Sequence, residues 1–285
     1  MSGLLVVRPG PLTTVQDLGR RGVAHLGVPR AGALDEPALR AANRLAGNPD
    51  GTAALETTLG GVALRAVGPR LVAVTGAPAP VRLDGRPVAW GAPVLVPDGS
   101  VLDLGPATHG VRSYLAVAGG LAVPPVLGSR SADLLSGLGP APLTAGRLLP
   151  VGPPGRGAPA ELVPLPAPPG ELVLRLHPGP HLDWFAPAAR PLLARSRYRV
   201  AGASNRIALR TEGPALPRAR TGELASEGMV LGAVQVPPDG RPVVFLADHP
   251  TTGGYPVIGV VPPGDLPAAA QAGPGTPVRF VPLDR

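Results

Sequence analysis

Val230-Leu231-Gly232-Ala233-Val234-Gln235-Val236-Pro237-Pro238-Asp239-Gly240-Arg241-Pro242-Val243-Val244-Phe245-Leu246-Ala247 sets two apolar runs on either side of a four-residue turn. Asp and Gly tolerate the left-handed angles of a tight reversal, and valines fill both flanks, so the stretch predicts a β-hairpin with strands over 230–236 and 242–247. Outward from it, short runs of the same kind predict strands over 4–8, 70–75, 80–88, 93–96, 101–104, 112–118, 172–177, 198–202, 257–261 and 277–281. Pro97-Asp98-Gly99 predicts a second hairpin. Many short strands with few helices predict a mostly β chain, sandwich or barrel. One helix is predicted over 36–46: Asp35 caps it, Pro37 fits its first turn, Leu39, Ala42 and Leu45 or Ala46 form its stripe, and Gly47-Asn48-Pro49 stops it. A shorter one is predicted over 267–272, capped by Asp265.

Two fragments recur in order. Arg8-Pro9-Gly10-Pro11 returns as His177-Pro178-Gly179-Pro180, and Asp84-Gly85-Arg86-Pro87-Val88 returns as Asp239-Gly240-Arg241-Pro242-Val243. Between the copies, 150–170 is Pro-rich, low in charge and without periodicity, as a semi-rigid linker would be. We therefore expect two related β domains, 1–150 and 171–285, joined by a linker over 151–170.

Composition narrows the chemistry. Gly and Pro number 40 and 41 among 285 residues, yet 44% of the chain is hydrophobic, 16% is charged and the mean hydropathy is +0.21, so ordering entropy can be offset by burial. All 26 basic residues are arginine. Without lysine there is no Schiff base, no lysine general base, no P-loop lysine and no biotinyl-lysine. Without cysteine there is no thiol nucleophile or disulfide. The net charge of +7 is spread thinly, with Arg20 and Arg21 the only adjacent basic pair: residues 1–156 carry 14 Arg against 9 acids, and the rest 12 against 10. With 3% aromatic residues as well, neither a basic arm nor a stacking platform for nucleic acid is expected. The opening residues hold an apolar run of only four, and no run approaches ~18, so a cytoplasmic protein is expected, with no membrane partner. His177 and His181 straddle Pro178-Gly179-Pro180 and cannot share a helix face as a metal pair, so no metal site is expected.

Three polar, glycine-marked segments remain. Thr13-Thr14-Val15-Gln16-Asp17-Leu18-Gly19-Arg20 packs hydroxyls, an amide, a carboxylate and a guanidinium into one stretch. Either it lines a site or its side chains satisfy their own backbone. In Gly128-Ser129-Arg130-Ser131-Ala132-Asp133 small residues leave the Arg130 fork open to a carboxylate or phosphate, or simply to Asp133. Asp248-His249-Pro250-Thr251-Thr252-Gly253-Gly254-Tyr255-Pro256 ends a strongly apolar run, and its paired glycines suit an anion nest or an amide-binding loop.

These segments belong to an ordered set: T-T-V-Q-D-x-G-R from Thr13, A-A-N-R-L-A-G-N from Ala41, Y-L-A-V-A-G-G from Tyr114, V-L-G-S-R-S from Val126, S-E-G-M from Ser226, Q-V-P-P-D-G from Gln235 and T-T-G-G-Y-P from Thr251. The set resembles the biotin-dependent carboxyltransferase, or allophanate hydrolase subunit 2, family, which includes the 5-oxoprolinase C subunit and KipA. The resemblance spans nearly the whole chain. It departs at Ser204-Asn205-Arg206-Ile207-Ala208, where the family often reads S-D-R-M-G, and at Ala31-Gly32, where it often reads S-G.

The resemblance implies tandem cyclophilin-like β-barrel domains and a KipI-like partner of the allophanate hydrolase subunit 1 type. It also implies the LamB/YcsF-like A subunit where the assembly is a 5-oxoprolinase. The expected role is that of the C subunit in an ATP-dependent 5-oxoprolinase, inactive alone and needing ATP with Mg2+ in the complex. A KipA-like regulator and a carboxyltransferase subunit of a biotin-dependent carboxylase are the alternatives. The expected substrate-binding residues are Thr251, Thr252, Gly253 and Gly254 around the amide or phosphoryl oxygen, Gln235 and Asn205 orienting the amide, and Arg130 or Arg206 on a substrate carboxylate, with Ser129 beside them. Gln16, Asp17, Arg20, Glu227, Asp248 and Tyr255 form a second tier.

Overall fold

The computed structural model describes residues 3–155, 162–167, 170–222 and 224–283. Two compact units emerge. The first comprises the described parts of Met1–Arg20, Ala31–Asp133 and Gly137–Pro168, and the second those of Arg21–Arg30, Leu134–Ser136 and Pro169–Arg285. The second unit thus draws two short pieces from within the sequence of the first. Of the expected linker over 151–170, residues 156–161 and 168–169 lie outside the described ones. Its described parts bond into the first unit: Val163 N–H donates to Gly91 O at 2.9 Å, and Val151 bridges Leu121.

In the first unit a six-stranded sheet runs in the order Leu148–Pro150, Gly3–Pro9, Val62–Val67, Val101–Leu104, Val81–Leu83 and Arg86–Val88. A five-stranded sheet orders Leu12–Gln16, Ala54–Thr58, Arg112–Val117, Arg70–Gly76 and Val94–Val96. Strand alternation sorts the side chains of Arg112–Val117. Leu115 and Val117 enter the main core with Leu4, Val6, Leu55 and Leu64, whereas Tyr114 and Ala116 turn to a second core under helix α1 (Glu36–Leu45) with Leu39 and Ala42. Asp35 caps α1 as expected, its carboxylate accepting from Ala38 N–H at 3.1 Å. The entry to α1 is pinned from below: Tyr114 Oη donates to Glu56 Oε2 at 2.7 Å and accepts from Asp35 N–H at 2.8 Å. Burial, reinforced by the Glu56 and Asp35 charges, holds the Tyr114 phenol well above its usual pKa range.

The second unit closes into a barrel of seven strands: Leu172–Pro178, Val257–Val260, Ala233–Gln235, Val243–Phe245, Ala208–Glu212, Tyr198–Val200 and Pro277–Pro282, which pairs in parallel with the first. Leu172, Leu174 and Leu176 point inward alternately, and Tyr198 meets Phe280 edge to face at 5.5 Å. Helices α2 (Ala189–Arg195) and α3 (Leu266–Gln271) complete the unit. The chain is mostly β with few short helices, as its sequence led us to expect.

Several local expectations change. Ala233–Gln235 and Val243–Phe245 pair across the Pro237–Gly240 turn as a hairpin. The strands around Pro97-Asp98-Gly99 do not: Val94–Val96 joins the five-stranded sheet and Val101–Leu104 the other, while Asp98 Oδ1 accepts from Gly68 N–H at 2.6 Å. The run 80–88 is itself a hairpin, reversed at Asp84 and Gly85 with φ of 46° and 81°. Asp265 caps no helix through its side chain. Instead it accepts from the Arg175 guanidinium, which holds its carboxyl below the usual range. The strands Leu12–Gln16, Ala54–Thr58, Val62–Val67 and Ala208–Glu212, and helix α2, were not among the expected elements. Among the described residues no helix is long and apolar enough to cross a membrane.

Candidate functional site

The fifteen candidate residues fall into two clusters, one in each unit. In the second unit, Thr252–Gly253 forms a two-residue strand paired with Glu227–Gly228, with Glu227 opposite Gly253. Met229 N–H donates to Thr251 O at 2.8 Å, and Leu224 N–H to Gly254 O at 3.0 Å, closing the loop on both sides. Neither Gly253 nor Gly254 has positive φ, so the loop does not form an alternating nest. What glycine supplies is room. A Cβ on Gly253 would fall 2.6 Å from Gln235 Nε2 and 3.2 Å from Met229 Cγ, and one on Gly254 would fall 3.1 Å from Leu224 O.

Gln235 occupies that room. Buried on the strand Ala233–Gln235, it donates from Nε2 to Tyr255 O at 3.2 Å and to Met229 Sδ at 3.3 Å. Its Oε1 makes no hydrogen bond among the described residues, and neither do the hydroxyls of Thr251 and Thr252, which are half-buried and exposed. An amide offers a carbonyl oxygen and an N–H, and the loop region holds groups of both complementary kinds, an amide oxygen on Gln235 and hydroxyls on Thr251 and Thr252.

Two expected contacts give way to internal ones. Arg206 is buried, and its Nε and Nη2 each donate at 2.9 Å to Asp248, which is buried too and also accepts from Leu134 N–H at 3.2 Å. A guanidinium held bidentately by an interior carboxylate is not presented to a substrate, so Arg206 and Asp248 organise the loop's stem. Asn205 Oδ1 accepts from Ile207 N–H at 2.8 Å and Ala208 N–H at 3.2 Å. That is a local turn cap, which a carboxylate or an amide oxygen fills equally, so the departure from the family's Asp leaves the turn intact.

In the first unit Asp17 is the hub. Its Oδ1 accepts from Ser129 Oγ and Ser131 Oγ, each at 2.6 Å, and from Gly19 N–H at 2.8 Å, while Oδ2 accepts from Arg130 N–H at 2.6 Å. Three donors meet at Oδ1 and one at Oδ2, so Asp17 ties the 129–131 loop to the strand end. Arg20 braces the same loop through Val126 O and Ser131 O. Gln16 Nε2 donates to Ala132 O and Thr14 Oγ1 at 3.0 Å each, leaving Oε1 buried with no donor among the described residues. The loop's tip is strained: Leu127, 47% exposed, holds φ at 50°. Arg130 anchors its Nε on Val123 O at 2.7 Å, and its Nη atoms make no hydrogen bond among the described residues.

Sequence reasoning missed His181, considered only as half of a metal pair with His177 and set aside. Its Nε2 lies 3.3 Å from Glu227 Oε2, beside the glycine loop. No spacing rule joins residues 181 and 227, so the sequence held no signal for the pair.

The family model for "Carboxyltransferase domain, subdomain A and B" matches residues 26–282. The 5-oxoprolinase C subunit of Escherichia coli strain K12 is 41% identical over 286 residues, covering 98% of this chain and 90% of that protein. The crystal structure of TTHA0988 superposes with a TM-score of 0.90 at 41% identity, covering 99% of this chain and 56% of that one, so the chain spans about half of that longer protein. The Kluyveromyces lactis urea carboxylase structure matches with a TM-score of 0.90 at 30% identity, covering 99% of this chain and 27% of that one. With a family model over most of its length and a relative matched nearly end to end, the chain belongs to the carboxyltransferase domain, subdomain A and B, family.

Proposed function

We propose that the chain is the C subunit of an ATP-dependent 5-oxoprolinase, which opens the lactam of 5-oxoproline to glutamate beside a KipI-like and a LamB/YcsF-like subunit. The observation that carries this reading is the near end-to-end correspondence with the Escherichia coli 5-oxoprolinase C subunit. The glycine loop suits the task. Thr251 and Thr252 hydroxyls donate to the lactam carbonyl oxygen, Gln235 Oε1 accepts from the lactam N–H, and Gly253 leaves the Gln235 amide the room it needs to hold that orientation. Donors placed around a carbonyl oxygen are worth most where negative charge develops on it during attack. In the first unit, Arg130 is the cation we assign to an anionic group. ATP enters as a reactant of the complex, accompanied by Mg2+ on its phosphates. Among the described residues no three His, Asp or Glu side chains converge as a metal site, and we place neither on this chain.

A second reading, a carboxyltransferase subunit, draws on the urea carboxylase match. It requires a biotin carrier in trans, because the chain has no lysine to carry biotin. Co-expression with the KipI-like and LamB/YcsF-like subunits separates the two. The expected outcome is 5-oxoproline-dependent ATP hydrolysis by the three-subunit mixture and none by this chain alone. Turnover by the isolated chain, or stimulation by urea with a biotin carboxylase and not by 5-oxoproline, contradicts it.

A further inference from the structure

His177-Pro178-Gly179-Pro180-His181 runs along the strand Val257–Val260 at a distance that only glycine permits. A Cβ on Gly179 would come within 2.3 Å of Val257 O and 2.7 Å of Gly259 N. This close approach brings the ring of His181 to the strand, where Val257 N–H donates to its Nδ1 at 3.1 Å. With Nδ1 filled as an acceptor, the neutral ring carries its proton on Nε2, the nitrogen that faces Glu227 Oε2. The side chain of His181 is 12% exposed and that of Glu227 39%, so one end of the pair is anchored and the other is open. Strand pairing sets Glu227 opposite Gly253, the residue that leaves room for Gln235. The charges on the neighbouring segment are engaged elsewhere: Arg220 pairs with Asp183 at 2.6 Å, and Arg218 donates to Val236 O and Gly222 O. Among the described residues the Glu227 carboxylate has His181 as its sole side-chain partner.

The geometry points to Glu227 as the proton acceptor of the glycine-loop site, with His181 as a positioning residue that turns the carboxylate through Nε2–H. This rests on the reading above, in which the loop receives the lactam of 5-oxoproline. With the carbonyl oxygen phosphorylated by ATP and ADP released, Glu227 takes one proton from water as the water oxygen bonds to the lactam carbon and the C=N π pair moves onto nitrogen. The proton passes from Glu227 to that nitrogen as the ring C–N bond breaks, regenerating the carboxylate. The new hydroxyl's O–H pair becomes C=O with its proton lost to solvent, and water then releases phosphate from the acyl phosphate to leave glutamate.

The test uses the assembled complex. Glu227→Ala is expected to lower kcat by roughly 100-fold or more, the usual weight of a positioned general base, with KM within about threefold of wild type. Added formate or azide should restore part of the rate, which no structural role would allow. His181→Gln, which keeps an N–H near the position of Nε2, should retain more activity than His181→Ala, with both variants still in the complex. Near-normal turnover of Glu227→Ala, or a loss that small acids do not rescue, overturns the assignment. A wild-type complex with no 5-oxoproline-dependent turnover overturns the functional reading first, and the proton acceptor with it. An active wild type beside an unaffected Glu227→Ala overturns the acceptor alone.

Discussion

Gly253→Val is expected to lower 5-oxoproline-dependent ATP hydrolysis by the assembled complex roughly 100-fold or more, the scale on which an error of ~1 Å in positioning reduces rate. The backbone at Gly253 lies outside the left-handed region and in a strand, where valine is at ease, so the effect comes from the side chain. Its Cβ would stand 2.6 Å from Gln235 Nε2 and 3.3 Å from Met229 Sδ. Gln235 must rotate away, giving up Tyr255 O and with it the orientation of its free Oε1. Met229 belongs to a buried cluster with Ala208, Ala233, Val243, Phe245 and Val257, but residues 251–254 contribute nothing to it and the Met229 side chain is flexible, so thermal unfolding and co-elution with the partners should change little. Near-normal turnover, or unfolding in step with lost activity, would remove the loop from the site.

Arg206→Met should lower the stability of the chain by ~3–5 kcal/mol, the cost of stranding one partner of a buried pair. Asp248 would lose the two bonds from Arg206 Nε and Nη2 in a place without solvent, with Leu134 N–H among the contacts that remain. Arg206→Met combined with Asp248→Leu should recover much of that loss, because the double variant removes both buried charges together. Urea denaturation of the three proteins measures it. A single variant within ~1 kcal/mol of wild type would show that the pair is not the stem of the loop.

These two cases also mark how far sequence could go. Turn chemistry at Pro237-Pro238-Asp239-Gly240 identified a hairpin correctly because both flanking strands stay in one sheet. The same chemistry at Pro97-Asp98-Gly99 reported only that the chain reverses, and the strand after it crossed to the other sheet. Asp35 and Asp265 look alike as helix caps, yet Arg175 reaches across 90 residues to take Asp265. Motif order drew Gln16, Asp17, Arg20, Ser129 and Arg130 into one list, and folding makes them one cluster around Asp17. It could not reveal that Arg206 is held by Asp248, since a buried pair and a substrate-facing arginine look the same in sequence. His181 was invisible for a related reason: its role depends on how closely Gly179 lets the chain approach Val257. The recurring Pro-Gly-Pro fragment now has a physical sense in both units. A Cβ on Gly10 would meet Gly60 O at 2.7 Å, as one on Gly179 would meet Val257 O, so each copy marks a strand end pressed against a neighbouring backbone.

That the glycine loop receives the lactam is read most directly by NMR of the assembled complex in which this chain alone carries 15N-glycine and 15N-glutamine. On adding 5-oxoproline, the backbone amides of Gly253 and Gly254 and the side-chain amide of Gln235 are expected to shift together, saturating along one binding curve. Shifts confined to Gln16, Gly19 and Gly128, or no shift in the loop at concentrations that saturate turnover, would contradict the account.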